Sequence, residues 1–370
     1  MTDIPPRVAL FLRYFGGGGA DLAMAYLARG FLDRGLNIDF LLSQPGGPHI
    51  WKIPSEARII DLGGFGNFAT LKGLTSYLKK ERPKALLSAL HFNNEIAVVA
   101  KYWAGVSTKI VVCEQNTLSK RAHNETQFFK RITPFLAKIT YPWADGVVAV
   151  SQGVAQDLSN LTGLPLERFE VIYNPAVTTT LFEKSKEPLD HPWFAAGEPP
   201  VILGVGKLEA QKDFPTLIHA FAQVRKEQRA RLIILGWGPD QTRESLEALA
   251  NELGVHEDVS LAGYVNNPYA YMARSAVFAL SSQWEGLPFV LVEAMALGIP
   301  VVSTDCKSGP AEVLDHGRYG QLVPVGNSQA LGHAISKVLS QRPEPVDKEW
   351  FTQFTLEAIT QQYLNVLIPE

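Results

Sequence analysis

Two acids eight positions apart, Glu285 and Glu293, frame the run Glu285-Gly286-Leu287-Pro288-Phe289-Val290-Leu291-Val292-Glu293, and the apolar stretch ends at Gly298-Ile299-Pro300. Pro288 suits the first position of a helix and Gly298 its stop. A rise of about 1.5 Å per helical residue sets the two carboxylates too far apart to share one proton. They read as grips on two ends of one polar ligand, with unbonded backbone N–H groups between them. Such a helix start holds anions. The plainer alternative is two solvated acids around an ordinary strand-to-helix loop.

Two further segments have phosphate chemistry. Gly16-Gly17-Gly18-Gly19-Ala20-Asp21 follows an apolar run and precedes a helix-like one. Glycines there allow close backbone approach to a phosphate, or simply a tight turn. Neither G-x-G-x-x-G nor the Walker pattern is present. Val205-Gly206-Lys207-Leu208 ends another apolar run and Lys212 follows. Two such cations suit a diphosphate, although both also suit a solvated loop. His91 and Glu114-Gln115-Asn116 each end a strand-like run. His91 reads as a ligand contact at a strand's carboxyl end or as a capping histidine, and Glu114 and Asn116 face the same side by the same argument. There is no D-x-D pair and no His/Cys/acid cluster at metal-ligand spacing.

These residues need a frame. Apolar runs near 7–13, 37–43, 85–90, 109–114, 146–151 and 169–173 alternate with amphipathic segments, and so do runs near 201–206, 231–236, 259–263, 277–282, 300–304 and 321–323. That alternation predicts parallel sheets covered on both faces. A Pro-, Thr- and charge-rich stretch separates the two series. We therefore expect an α/β chain with one doubly wound domain over 1–175, a linker over 176–199 and a second domain over 200–347. The segment 348–367 is expected to form a helix packing back on the first domain. Ligands of such sheets bind beyond the carboxyl ends of the strands, here in a cleft between the two domains.

The chain of 370 residues carries a net charge of -3. Its first 175 residues sum to +5 and the remainder to -8, which disfavours a nucleic-acid binder. Two cysteines, Cys113 and Cys306, give no disulfide or zinc framework and fit a reducing cytosol. Neither a signal peptide nor a membrane span is legible. Between Lys120 and Lys138 five cations face one acid, and aromatics interleave them. Lys120, Arg121, Phe128, Phe129, Lys130 and Arg131 form a candidate contact to the cytoplasmic leaflet, with a solvated face over a core helix as the alternative. Pro134 argues against one long helix there.

Taken together, Gly206-Lys207-Leu208, Lys212 and the two glutamates resemble the large retaining glycosyltransferase family of GT-B fold, whose bacterial members build surface glycans. The early Gly-Gly-Ala, Val150-Ser151-Gln152-Gly153-Val154 and Ile172-Tyr173-Asn174-Pro175 extend the resemblance over the whole chain. Where many members have Glu-Arg after Gly-Gly-Ala, this chain has Asp21-Leu22.

The resemblance implies two Rossmann-like domains and a nucleotide-diphosphate sugar donor held by the second. Lys207 and Lys212 would neutralise the diphosphate, and Glu293 would accept from the ribose. Glu285 would contact the donor sugar, with the N–H groups of Gly286 and Leu287 nearby. Gly17 and Gly18 would close on the diphosphate, His91 would contact the donor sugar or the acceptor, and Glu114 and Asn116 would be acceptor-side candidates. It also implies transfer with retention to a glycan or lipid-linked acceptor, no metal or other cofactor, and a cytoplasmic, peripheral enzyme. A UDP-sugar epimerase of the same plan, or a non-catalytic nucleotide-sugar binder, is the alternative.

Overall fold

The structure is a computed structural model that describes residues 5–47, 49–64, 66–124, 133–341 and 343–369. It divides into two compact units, Met1–Pro175 with Gln353–Glu370, and Ala176–Thr352.

The first unit holds seven parallel strands: β1 (Arg7–Leu12), β2 (Asn37–Leu42), β3 (Arg58–Asp61), β4 (Ala85–Ala89), β5 (Lys109–Glu114), β6 (Gly146–Ala149) and β7 (Phe169–Val171). Their order is β3-β2-β1-β4-β5-β6-β7. Residues 8–12 of β1 are completely buried, as expected of a strand with helices on both faces. Most strands stop a residue or two before the apolar run does, because the last residues leave the ladder to build the loops. The strand missed by periodicity is β3. It is a short exposed edge in which Arg58 reaches the buried Asp39 of β2 at 2.6 Å and Glu81 at 2.8 Å. Short, charged edges resist pairing with other chains.

The closing helix Leu356–Leu367 belongs to this unit. The Tyr363 hydroxyl lies 3.2 Å from Cys113 Sγ. Gly30 is required beneath it, because a Cβ there would sit 2.2 Å from Thr360 Oγ1. Both cysteines are buried and unbridged. Burial pushes each thiol up to about 12.

The second unit holds six parallel strands: β8 (Val201–Val205), β9 (Arg231–Leu235), β10 (Val259–Gly263), β11 (Val277–Leu280), β12 (Val301–Thr304) and β13 (Gln321–Val323). Their order is β10-β9-β8-β11-β12-β13. Helices Phe214–Glu227 and Ser328–Ser340 pack together over the sheet, burying Leu217, Phe221, Leu331 and Ile335. The stretch 176–199 lies in this unit and carries the helix Thr179–Ser185. Asn267 donates to Lys184 O at 2.8 Å, and Arg274 donates to Ser185 O and Glu187 O.

Both sheets reverse their winding once, between β1 and β4 in the first and between β8 and β11 in the second. At such a point adjacent loops leave in opposite directions and open a crevice at the carboxyl ends. The glycine loop and His91 follow β1 and β4; Lys207 and Glu285 follow β8 and β11. No helix among the described residues is long and apolar enough to cross a membrane.

Candidate functional site

In the second unit the ladder continues past the strands. Gly206 N–H donates to Leu235 O and Leu208 N–H to Trp237 O, both at 2.9 Å. Gly236 has φ of 151°, and a Cβ on it would meet Gly206 O at 1.7 Å. Only glycine allows that approach. Lys207 is thereby fixed beside Trp237, with its ammonium 5.2 Å from the indole centroid.

Lys212 ends the turn Ala210–Lys212, and Asp213 caps the helix that follows. The Lys212 stem lies over Gly206, where a Cβ would stand 3.0 Å from Cγ, Cδ and Cε. Its Nζ is 2.5 Å from Glu285 Oε1. Ser282 Oγ donates to the same oxygen at 2.7 Å, and Gln211 Nε2 donates to Oε2 at 3.2 Å. Two more bonds fasten this turn to the segment after β11: Gln283 N–H to Gln211 O at 2.8 Å and Ser281 Oγ to Lys212 O at 2.7 Å. The Glu285 carboxylate is therefore preorganised, 5% exposed and accompanied by a cation. Any ligand hydroxyl that reaches it meets a fixed acceptor.

Glu293 lies on the helix Phe289–Ala296, for which Pro288 is the cap rather than the first residue. Tyr269 OH donates to Glu293 Oε1 at 3.0 Å. Gly286 and Leu287 fill the turn between the acids, and Gly309 crosses beside them. A Cβ on Gly309 would stand 2.8 Å from Gly286 O. The helix start and the loop after β12 thus confine the same turn.

In the first unit Gly17 has φ of 81°, and its Cβ would fall 1.9 Å from His49 Cδ2. Gly18 caps the helix Gly19–Leu32, and its N–H donates to Asp21 Oδ2 at 3.0 Å. Asp21 thus serves the helix start itself, where an acid is favourable. Burial, then Lys52, holds the His49 pKa below its ordinary value.

His91 stands between Leu90 and Phe92, two non-glycines with φ of 75° and 67°. Local strain of this kind persists only where the surroundings enforce it. Those surroundings are polar. Asn93 Nδ2 donates to Ala89 O at 2.8 Å, and Asn94 Nδ2 donates to Cys113 O at 3.0 Å and to Tyr141 Oη at 3.1 Å. Tyr141 in turn donates to Glu114 Oε2 at 2.7 Å. Glu114 is almost sealed from solvent, at 1% exposure. Beside it Glu95 is buried, and neither carboxyl oxygen has a well-formed hydrogen bond among the described residues. Burial, then the Glu114 charge, pushes Glu95 up to about 8. Asn116 lies beyond β5 and its Oδ1 accepts from Thr117 N–H at 2.8 Å.

Lys120 is exposed on the helix Leu118–Asn124, which also carries Arg121. Phe128, Phe129, Lys130 and Arg131 lie outside the described residues. Pro134 occupies the first turn of the helix Thr133–Thr140, a position that tolerates it. No group of three or more His, Cys, Asp or Glu among the described residues could hold a metal ion.

Sequence reasoning did not single out Gln211, Trp237, Tyr269, Ser282 or His49. Trp237 had a signal, an aromatic between two glycines at a strand end, and so did His49 in Gly46-Gly47-Pro48-His49. The other three are polar residues whose contacts arise only on folding.

Residues 185–349 match the family described as glycosyl transferases group 1, and residues 17–179 match glycosyltransferase family 4. Over 66% of its length the chain is 33% identical to an N-acetylgalactosamine-N,N'-diacetylbacillosaminyl-diphospho-undecaprenol 4-alpha-N-acetylgalactosaminyltransferase of Campylobacter jejuni, spanning 64% of that protein. Over 55% it is 32% identical to the lipopolysaccharide 1,6-galactosyltransferase of Salmonella typhimurium, spanning 54% of it. The matches thus span between half and two thirds of these two curated relatives. Among solved structures, HepE of Anabaena in complex with UDP-glucose superposes with a TM-score of 0.82 at 21% identity, covering 98% of this chain and 99% of that one. At that identity the likeness speaks for the fold.

Proposed function

We propose, for a chain that belongs to the glycosyltransferases of group 1 and family 4 and has the GT-B fold, that it moves a hexose or N-acetylhexosamine from a nucleotide-diphosphate sugar to a glycan or lipid-linked acceptor in surface-glycan synthesis. The observation that carries this reading is the preorganised Lys212–Glu285 pair at the β8/β11 switch point, with Lys207 just past the end of β8 and Glu293 one helix turn and more beyond.

Lys207 and Lys212 offset the charge that builds on the departing diphosphate, and stabilisation aimed at that charge lowers the barrier. Glu293 takes the ribose hydroxyls. Glu285 takes a hydroxyl of the donor sugar, with Gly286 and Leu287 beside it. In the first unit the same reading gives the diphosphate to Gly17 and Gly18 and a sugar hydroxyl to His91, with Asn116 as an acceptor-side candidate; Glu114, at 1% exposure, is sealed away from a direct contact.

The sugar–oxygen bond to the diphosphate breaks as the bond to the acceptor oxygen forms on the same face. The acceptor proton passes to the leaving phosphate oxygen. No side-chain base and no metal is needed in this scheme. The names of the relatives support the acceptor class, and the UDP-glucose in HepE supports the donor class. A cytoplasmic location follows from the same reading.

Saturation-transfer NMR with UDP-, GDP- and ADP-sugars tests the donor site. One nucleotide-sugar should bind, and Glu293→Gln should weaken it. Failure of the whole panel would remove the assignment. Proton NMR of the product then reads the anomeric centre, and an inverted product would refute retention.

A further inference from the structure

The two lysines beyond β8 are held in different ways. Lys212 is paired with the buried Glu285 carboxylate at 2.5 Å. The Lys207 ammonium has no carboxylate and no hydrogen-bond acceptor among the described residues, and its contact is the Trp237 ring, 5.2 Å from the centroid. One cation is thus neutralised where it stands, and the other keeps its full charge.

Trp237 is 49% exposed, yet its backbone is fixed from both sides. Its carbonyl accepts from Leu208 N–H at 2.9 Å. Gly236 before it lies against Gly206 O, and Gly238 after it lies against Leu208, where a Cβ would stand 2.5 Å from Leu208 Cβ. Pro239 then caps the helix Asp240–Glu252. The chain therefore presents a large ring at the carboxyl end of β9 with half of it in water, where it adds little to the core.

What an indole does for a lysine differs from what a carboxylate does. A carboxylate would neutralise the ammonium and take up its N–H donors. The ring attracts the cation through its quadrupole and leaves both the charge and donors for another acceptor. Lysine has a flexible four-carbon stem, and ordering such a stem during binding weakens affinity. A ring that orders the ammonium beforehand reduces that loss.

We infer that Trp237 is a positioning residue for Lys207: its indole holds the ammonium, still charged, where the diphosphate of the donor arrives. This deepens the function proposed above and rests on it. Trp237 acts on the ligand through Lys207 and not by stacking on the nucleobase.

The test is a double-mutant cycle read by isothermal titration of the full chain with UDP, GDP and ADP. Trp237→Leu keeps an apolar side chain without a π face, and should weaken the nucleotide that binds by roughly two- to fivefold. Trp237→Phe should regain part of that loss. In a Lys207→Met chain, Trp237→Leu should change nothing further. In the free protein the ring current of Trp237 should shift the Lys207 ε-methylene protons upfield, and Trp237→Leu should abolish the shift. Thermal unfolding checks that each variant is folded, and Trp237→Phe carries the cycle if the leucine variant is not.

Binding by Trp237→Leu equal to that of the parent overturns the inference. So does a loss that persists undiminished in the Lys207→Met chain, since the indole would then touch the nucleotide itself. A parent that binds none of the three nucleotides removes the donor site and this inference with it. Nucleotide binding without any coupling between Trp237 and Lys207 sinks this inference alone.

Discussion

Lys212 Nζ stands 2.5 Å from Glu285 Oε1, and that oxygen also accepts from Ser282 Oγ. The carboxylate is buried and the ammonium nearly so, which makes each the other's charge compensation. Lys212→Met should then leave the buried carboxylate without this cation and cost about 2–3 kcal/mol in urea unfolding, somewhat below the range for fully buried pairs. Lys212→Met with Glu285→Leu should recover much of that stability while transfer stays at least roughly a hundredfold down. A single variant as stable as the parent would show that the pair carries little.

Glu293 and Tyr269 allow a finer separation. Tyr269 occupies one carboxylate oxygen at 3.0 Å. Glu293→Gln removes a charged acceptor and should weaken nucleotide-sugar binding by roughly 10- to 100-fold, the equivalent of one charge-assisted hydrogen bond. Tyr269→Phe keeps the charge and should cost only a few-fold. Isothermal titration on both variants reads the difference, and equal losses would assign the effect to packing instead.

The glycine loop depends on a contact between loops far apart in sequence. Gly17→Ala must place a methyl group where His49 Cδ2 lies, at a backbone φ of 81°. The conformational part should cost about 1 kcal/mol and the clash about 1–3 more. His49→Ala in the same chain should relieve the second part but not the first. Thermal unfolding of the two single variants and the double variant measures the coupling. Strict additivity would mean that the histidine and the glycine do not touch in solution.

How much of this was legible beforehand follows from which interactions are local. Twelve of the thirteen described strands announced themselves as apolar runs, because a strand buried on both faces needs a continuous apolar sequence. β3 did not, since an edge strand with Arg58 and Asp61 at its ends has little apolar surface to bury. The acidic pair was visible because both residues belong to one turn and one helix. The partners of that pair were not: Gln211, Tyr269 and Ser282 reach it through tertiary packing, and nothing in a short window distinguishes them from solvated polar residues. His49 had a local signal in its glycine-rich loop, but its place was not legible, since the groove it fills is made by the missing side chain of Gly17, far off in sequence.

Glu95 gives the clearest dependence on pH. Its carboxyl is buried within the electrostatic reach of Glu114 of β5 and of Tyr141, which opens the turn Tyr141–Trp143. Burial first, and the Glu114 charge second, raise it to about 8. A raised folded value means that the native chain holds a proton the unfolded chain releases near the ordinary glutamate value of about 4.3. Its contribution is therefore fully present below that value and is lost as pH rises through about 8. Glu95→Gln keeps the neutral shape and removes the titration. The stability of this variant relative to the parent should therefore climb by roughly 3–4 kcal/mol between pH 5 and pH 9, at about 1.4 kcal/mol per unit below the plateau. Urea unfolding of both chains at pH 5, 7 and 9 reads this directly. A difference that stays flat over that range would mean that Glu95 ionises normally and that water reaches the cluster in solution.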